Sequence, residues 1–147
     1  MAKYTTNLDR TGAIKGVGTV SQPASALHRF RVYEAFVGLG AAVVPTDVVR
    51  EWQLLTITAA ATGTSTTPAK VDPADGAATM IALHIITAEG TESTILSTRA
   101  VHERASYTWV FYPGTELVFP VTNLIGCKLM QSASSATVAK GNILFDE

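Results

Sequence analysis

The residues best equipped for chemistry are three histidines, His28, His84 and His102, one cysteine, Cys127, and the aspartates Asp72 and Asp75 ahead of Gly76. Histidines that share a metal usually follow a fixed spacing, and neither His-x-His nor His-Glu-x-x-His occurs here. His84 lies in an apolar stretch, in opposite phase to Ile81, Leu83 and Ile85, which suits a packed or hydrogen-bonded strand histidine. Cys127 falls in strand phase between Ile125 and Leu129, the pattern of a small buried hydrophobe. A lone cysteine also excludes an intrachain disulfide framework and a multi-cysteine zinc site. Asp72, Asp75 and Gly76 faintly resemble a calcium loop, but Pro73 and Ala74 bring no side-chain oxygen, so turn chemistry accounts for them. Gly16-Val17-Gly18 and Gly38-Leu39-Gly40 lack the third glycine of a dinucleotide site and are expected in loops. Arg29 and Arg31 alternate with Phe30 and Val32, as on a solvated or subunit-facing strand side. The expectation is a protein that is not an enzyme and has no cofactor and no metal.

Such residues are placed by extended elements, because a period of two dominates the chain. Tyr107, Trp109 and Phe111 share one phase, Pro113-Gly114 follows as a turn, and Leu117, Phe119 and Val121 share the next. Further strands are expected at 28–37, 51–60, 80–86, 94–102, 125–130 and 138–145. Glu34 interrupts the first of these and predicts a bulge or an edge. Trp52 and Leu54 oppose Leu55 and Ile57, a pattern that predicts either that both faces of that strand are covered or that its register switches. Loops are expected at 38–47, 62–78, 87–93 and 131–136, the second of them broken by Pro68 and Pro73. Seven or eight strands with no helix between them give an all-β fold, a jelly-roll-like antiparallel β-sandwich over residues 28–147. Residues 1–27, rich in Gly, Thr and Ser, read as an extended N-terminal arm outside the core, so that removing residues 1–20 should leave the domain folded.

The composition narrows the function. The chain has 147 residues, 47% of them hydrophobic and only 16% charged, with a formal net charge of −1. A mean hydropathy of +0.24 argues against disorder. Globular proteins average roughly 25% charged residues, so the polar surface here must rest on Thr and Ser. A weakly charged exterior suits a chain partly covered by other subunits. No basic excess points to nucleic acid. The first twenty residues carry scattered charges and no continuous apolar run, unlike a signal peptide or a membrane span. Synthesis in a reducing cytoplasm is expected, with no membrane partner.

Four stretches, in order, carry a resemblance: HRFRVYEAFVG at 28–38, WQLLTITAAATGTSTTPAKVDPADGAA at 52–78, RASYTWVFYPGTELVFP at 104–120 and GNILFDE at 141–147. Their shared features are a Pro- and Asp-bearing loop (Thr67, Pro68, Asp72, Pro73, Asp75), an aromatic strand before a Pro-Gly turn, and the acidic end Phe145-Asp146-Glu147. In these the chain resembles the small capsid cement or decoration proteins encoded among the head genes of tailed bacteriophages. The resemblance implies a β-sandwich bound to the major capsid protein on the virion surface, made in the host bacterial cytoplasm and often trimeric.

Homo-oligomerisation, most simply as a trimer, is also expected from the low charge and from apolar loop residues such as Val43, Val44, Val48 and Val49. Most contacts with the shell or with neighbouring copies are assigned to the arm, through Lys3, Arg10 and Lys15, and to the loop, through Thr67, Pro68, Asp72, Pro73 and Asp75. The competing reading is a virion-associated binding module for carbohydrate or a host surface. It would use exposed aromatics, for which Trp52, Trp109 and Tyr112 are the candidates.

Overall fold

The computed structural model describes residues 1–11, 13–23, 28–40, 48–120, 126–132 and 138–147, and side chains for all of these but 126 and 127. Thirteen strands form, with no helix among the described residues. In the first half run β1 (Lys3–Thr5), β2 (Leu8–Arg10), β3 (Gly16–Ser21), β4 (Phe30–Leu39), β5 (Val49–Ile57), β6 (Thr62–Thr66) and β7 (Ala69–Lys70). The second half adds β8 (Ile81–Ala88), β9 (Glu92–His102), β10 (Tyr107–Val110), β11 (Leu117–Phe119), β12 (Gly126–Gln131) and β13 (Ala139–Asp146).

The strands make two antiparallel sheets. One has the order β10-β4-β13-β1-β7, with β11 also on β4 and β2 also on β13. The other has the order β6-β8-β3-β12-β5-β9. One buried cluster joins them: Phe30, Val32, Trp109, Ile143 and Phe145 from the first sheet meet Val17, Val20, Trp52, Leu54 and Leu129 from the second. This is the two-layer solution that alternating strands require, each sheet burying one face on the other.

Local chemistry sets the details. Phe30 stacks on Phe119 with ring centroids 4.4 Å apart, and Tyr107 meets Trp109 edge-on. Gly114 has φ +88° and follows Pro113 in the turn Tyr112–Thr115, which Thr115 N closes on Tyr112 O at 2.8 Å. Proline at the second position and a positive φ at the third are the demands of a type II turn. The break at Glu34 is a bulge: β13 pairs Phe145 with Val32 but Leu144 with Glu34, so Tyr33 is the extra residue. Leu55 and Ile57 are buried with Met130 on the face of β5 opposite Leu54, so both faces of that strand are covered. In β8 the buried phase is Ala82 and Ile86, while Ile81 is exposed. The phase shifts at Ile85 (φ 47°), where Gly63 alone spans the gap between the pairs Thr62–Ala88 and Thr64–His84.

Two expectations are corrected. The described residues of the expected arm at 1–27, namely 1–11 and 13–23, are not detached from the core. The strand β3 is buried throughout, pairs with both β8 and β12, and supplies Val17 and Val20 to the core. Its glycines are packing devices, because Gly18 lies where a Cβ would come 2.6 Å from Leu8 Cδ2 and 2.8 Å from Leu83 O. The segment 62–78 is not one long loop either. It holds β6, an edge of the second sheet, and β7, which pairs with β1. Pro68 is buried at the crossing between them, where a residue without an N–H donor costs no ladder bond.

Candidate functional site

The sequence-predicted contact residues divide sharply. Lys3 is exposed, its ammonium 5.1 Å from the Tyr33 ring centroid. Arg10 is only 1% exposed, so its side chain is not presented to the surface of another protein. Its guanidinium donates to Gln131 Oε1 at 2.7 Å and to Lys15 O at 3.3 Å, and lies 5.7 Å from the Trp52 ring centroid. Burial, with a smaller contribution from nearby Arg50, lowers its pKa to about 10, so it stays charged at neutral pH. Lys15 is half-buried, and its carbonyl also accepts from Gln131 N at 3.0 Å. The three cations of the supposed arm therefore form no common basic strip.

The loop residues serve the turn. Asp75 N donates to Asp72 O at 3.1 Å and Ala74 N to Asp72 Oδ1 at 2.9 Å, with Pro73 between them. Asp72 and Pro73 are exposed and Asp75 is half-buried. Thr67 is exposed beside β1, where Thr5, Thr6, Asn7, Thr66, Thr67 and Asn142 line a polar recess of about 290 Å³. Arm and loop do meet, though as sheet partners. Tyr4 pairs with Lys70, Val71 N donates to Lys3 O at 2.9 Å, and Tyr4 Oη donates to Gly76 O at 3.2 Å.

Charge is turned inward in ways the sequence reading missed. Lys128, 0% exposed, places its ammonium 3.0 Å from Glu92 Oε1 and also donates to Glu89. Glu89 in turn accepts from Gly16 N at 2.9 Å. Glu103 is buried against Arg50, at 2.5 Å. Asp146 is buried and accepts from Arg31 at 2.7 Å and from the Tyr33 hydroxyl. Burial would raise the Asp146 carboxyl, but the hydrogen bonds from Arg31 and Tyr33 outweigh it and hold the pKa below the ordinary value. Burial first, and then the bond to Asp146, push the Tyr33 phenol up to about 12. These partners are tens of residues apart in the chain, so spacing alone gave no sign of them.

The histidines are dispersed in role. His102 Nδ1 accepts from Arg104 N at 3.2 Å in a turn, and His28 is exposed. His84 Nδ1 lies 3.7 Å from Asp9 Oδ2, too far for a hydrogen bond, and Asp9 also pairs with Lys140. Among the described residues, no three His, Cys, Asp or Glu side chains converge on a point where a metal could sit. The expected burial of the Cys127 side chain lies outside the described residues.

An apolar slot opens on one lateral side of the sandwich, between β9 and β11. Thr56, Thr58, Leu96, Leu117, Phe119 and Pro120 line a cavity of about 300 Å³ there. Exposed Ile95, Leu96 and Val118 lie on these same two strands, with Val110 on neighbouring β10 and Tyr112, 75% exposed, at the hairpin tip. Trp109 is buried just inside, donating to Ser97 Oγ at 2.9 Å, and Trp52 is buried as well. The slot offers contact area and a few hydroxyls rather than a nucleophile poised beside a base. Comparison of the chain with protein-family models, with curated proteins and with solved structures finds no match.

Proposed function

We propose that the chain is a structural virion component, a cement or decoration protein that sits on the major capsid protein of a tailed phage and associates with its own copies. One observation carries this reading: charged side chains are drawn inside while large apolar ones remain outside. Arg10, Lys128, Glu103 and Asp146 are buried. Leu96 and Val118 are exposed at one lateral slot, and Ile95, Val110 and Tyr112 are exposed on or next to the strands that flank it. A protein surrounded only by water gains nothing from leaving those apolar side chains exposed, whereas a subunit whose flank is covered by another chain gains their burial. The flank beside the slot is the surface offered to the shell protein. The carbohydrate-binding alternative is left with Tyr112 alone, since Trp52 and Trp109 lie in the core.

The test is co-sedimentation of the purified protein with shells assembled from the major capsid protein alone. Saturable binding in fixed proportion to the shell subunit is expected. Val118→Asp should weaken attachment without lowering the melting temperature, because Val118 is already 45% exposed. Pelleting no greater than that of an unrelated protein would sink the proposal.

A further inference from the structure

The second sheet ends in two edge strands of very different character, β9 and β6. A sheet edge presents unpaired backbone donors and acceptors, and proteins that must not pair there blunt it with charge, proline or bulges. β9 is blunted: it carries Glu92 and Arg99 and its register against β5 shifts twice. Among the described residues β6 carries neither charge nor proline, and its one register shift, at Gly63, takes up extra residues on β8 rather than on β6. It reads Thr62-Gly63-Thr64-Ser65-Thr66, inside a run from Gln53 to Ala69 that contains no charged residue. Thr64 and Ser65 point to opposite faces of the sheet, and both are exposed, so the edge stands clear on either side.

The same five residues are self-complementary. Two copies of one strand related by a two-fold axis normal to their sheet pair residues of equal parity, because opposed side chains must lie on one face. Centred on Thr64, that register opposes Thr64 to Thr64, Thr62 to Thr66 and Gly63 to Ser65. Threonine lies opposite threonine at every position on one face, an arrangement that favours cross-strand pairing, and no like charges meet. The same operation on β9 has to accommodate its charges and its shifted register.

We infer that β6 is a homotypic docking edge, through which two copies of the chain join their six-stranded sheets antiparallel about a two-fold axis at Thr64. The pairing needs only two copies in solution, so it stands or falls apart from the shell reading. It is also distinct from the three-fold assembly expected from the sequence. Five residues alone cover less than the roughly 800 Å² per partner of a stable interface, so the dimer is expected to be concentration-dependent.

Cysteine cross-linking reads the register directly. At the two-fold axis the Cα atoms of Thr64 and its mate would lie about 4.5–5.5 Å apart, within the disulfide range of about 4.4–6.8 Å. Under mild oxidation Thr64→Cys should form a covalent dimer whose link maps to residue 64, with the wild-type chain as the control for Cys127. Thr62→Cys and Thr66→Cys should each cross-link poorly alone but efficiently when mixed. Thr64→Lys should shift the light-scattering mass from two chains toward one, with the melting temperature unchanged because the residue is exposed. A single-chain mass at every concentration, a three-chain mass that Thr64→Lys leaves intact, or no link at residue 64 would overturn the inference.

Discussion

Leu8 lies across Gly18 so closely that a Cβ on Gly18 would sit 2.6 Å from Leu8 Cδ2, and the Leu83 carbonyl closes the other side at 2.8 Å. The contact locks the N-terminal strand pair onto the middle of the second sheet. Because a backbone oxygen forms one wall, the site cannot relax by turning a side chain alone. Gly18→Ala should therefore destabilise the protein by roughly 1–3 kcal/mol, the usual cost of overpacking. The midpoint of urea unfolding is the measurement, and an unchanged midpoint would show that the wall yields.

Deleting residues 1–20 should abolish folding, contrary to the expectation drawn from sequence. The deletion removes nearly all of β3, which pairs with β8 on one side and β12 on the other. It also exposes Leu129, Phe145 and their neighbours in the core. Loss of the dispersed amide spectrum is expected; a truncated chain with native-like dispersion would contradict the pairing.

Trp109→Ala should cost roughly 3–5 kcal/mol, a large part of a typical domain's stability. The indole is buried, packs against Tyr107 and donates to Ser97 Oγ. Ser97→Ala should cost about 1 kcal/mol by stranding the indole N–H, and Trp109→Phe with Ser97→Ala should be less than additive. Denaturant unfolding of Trp109→Ala, Ser97→Ala, Trp109→Phe and the double variant checks this.

Acid should weaken the tie at the end of β13. The Asp146 carboxyl has a folded pKa below its ordinary 3.8, so the folded state favours its ionised form. Its contribution is fully present above that ordinary value and is lost as pH falls through the lowered folded one. Asp146→Asn should lower stability at pH 7 by roughly 1.5–3 kcal/mol, as expected for losing hydrogen bonds to a charged group. The gap between wild type and variant should narrow below about pH 4, where unfolded carboxylates protonate. Thermal melts from pH 7 to pH 2.5 measure it, and a gap independent of pH would dismiss the assignment.

Much of the fold was legible because its signals are local. The alternation of Tyr107 and Trp109, the Pro113-Gly114 turn, the break at Glu34 and the double-sided pattern of Leu55 and Ile57 each lie within a few residues of their consequence. What stayed hidden depends on distant partners. Gly16 and Gly18 look like flexible loop residues until Leu8 and Lys128 are seen pressing on them. Arg10 and Lys128 look like surface charges, because Gln131, Glu89 and Glu92 reach them only through the fold. β6 was hidden by the prolines that follow it, which end the strand without preventing it.

The position of β13 between β4 and the β1–β2 pair has a consequence for biosynthesis. Lys3 pairs with Asp146, so the first sheet cannot close until residue 146 has left the ribosome. Folding must then wait on contacts of maximal sequence separation, which form slowly. Until they form, Tyr4, Val17 and Val20 have no core to enter, and the nascent chain displays open, uncharged strand edges that invite chaperone capture or aggregation. Soluble yield should therefore respond more steeply to damage in the final eight-residue strand than to equal damage in the exposed turn at Asp72–Asp75.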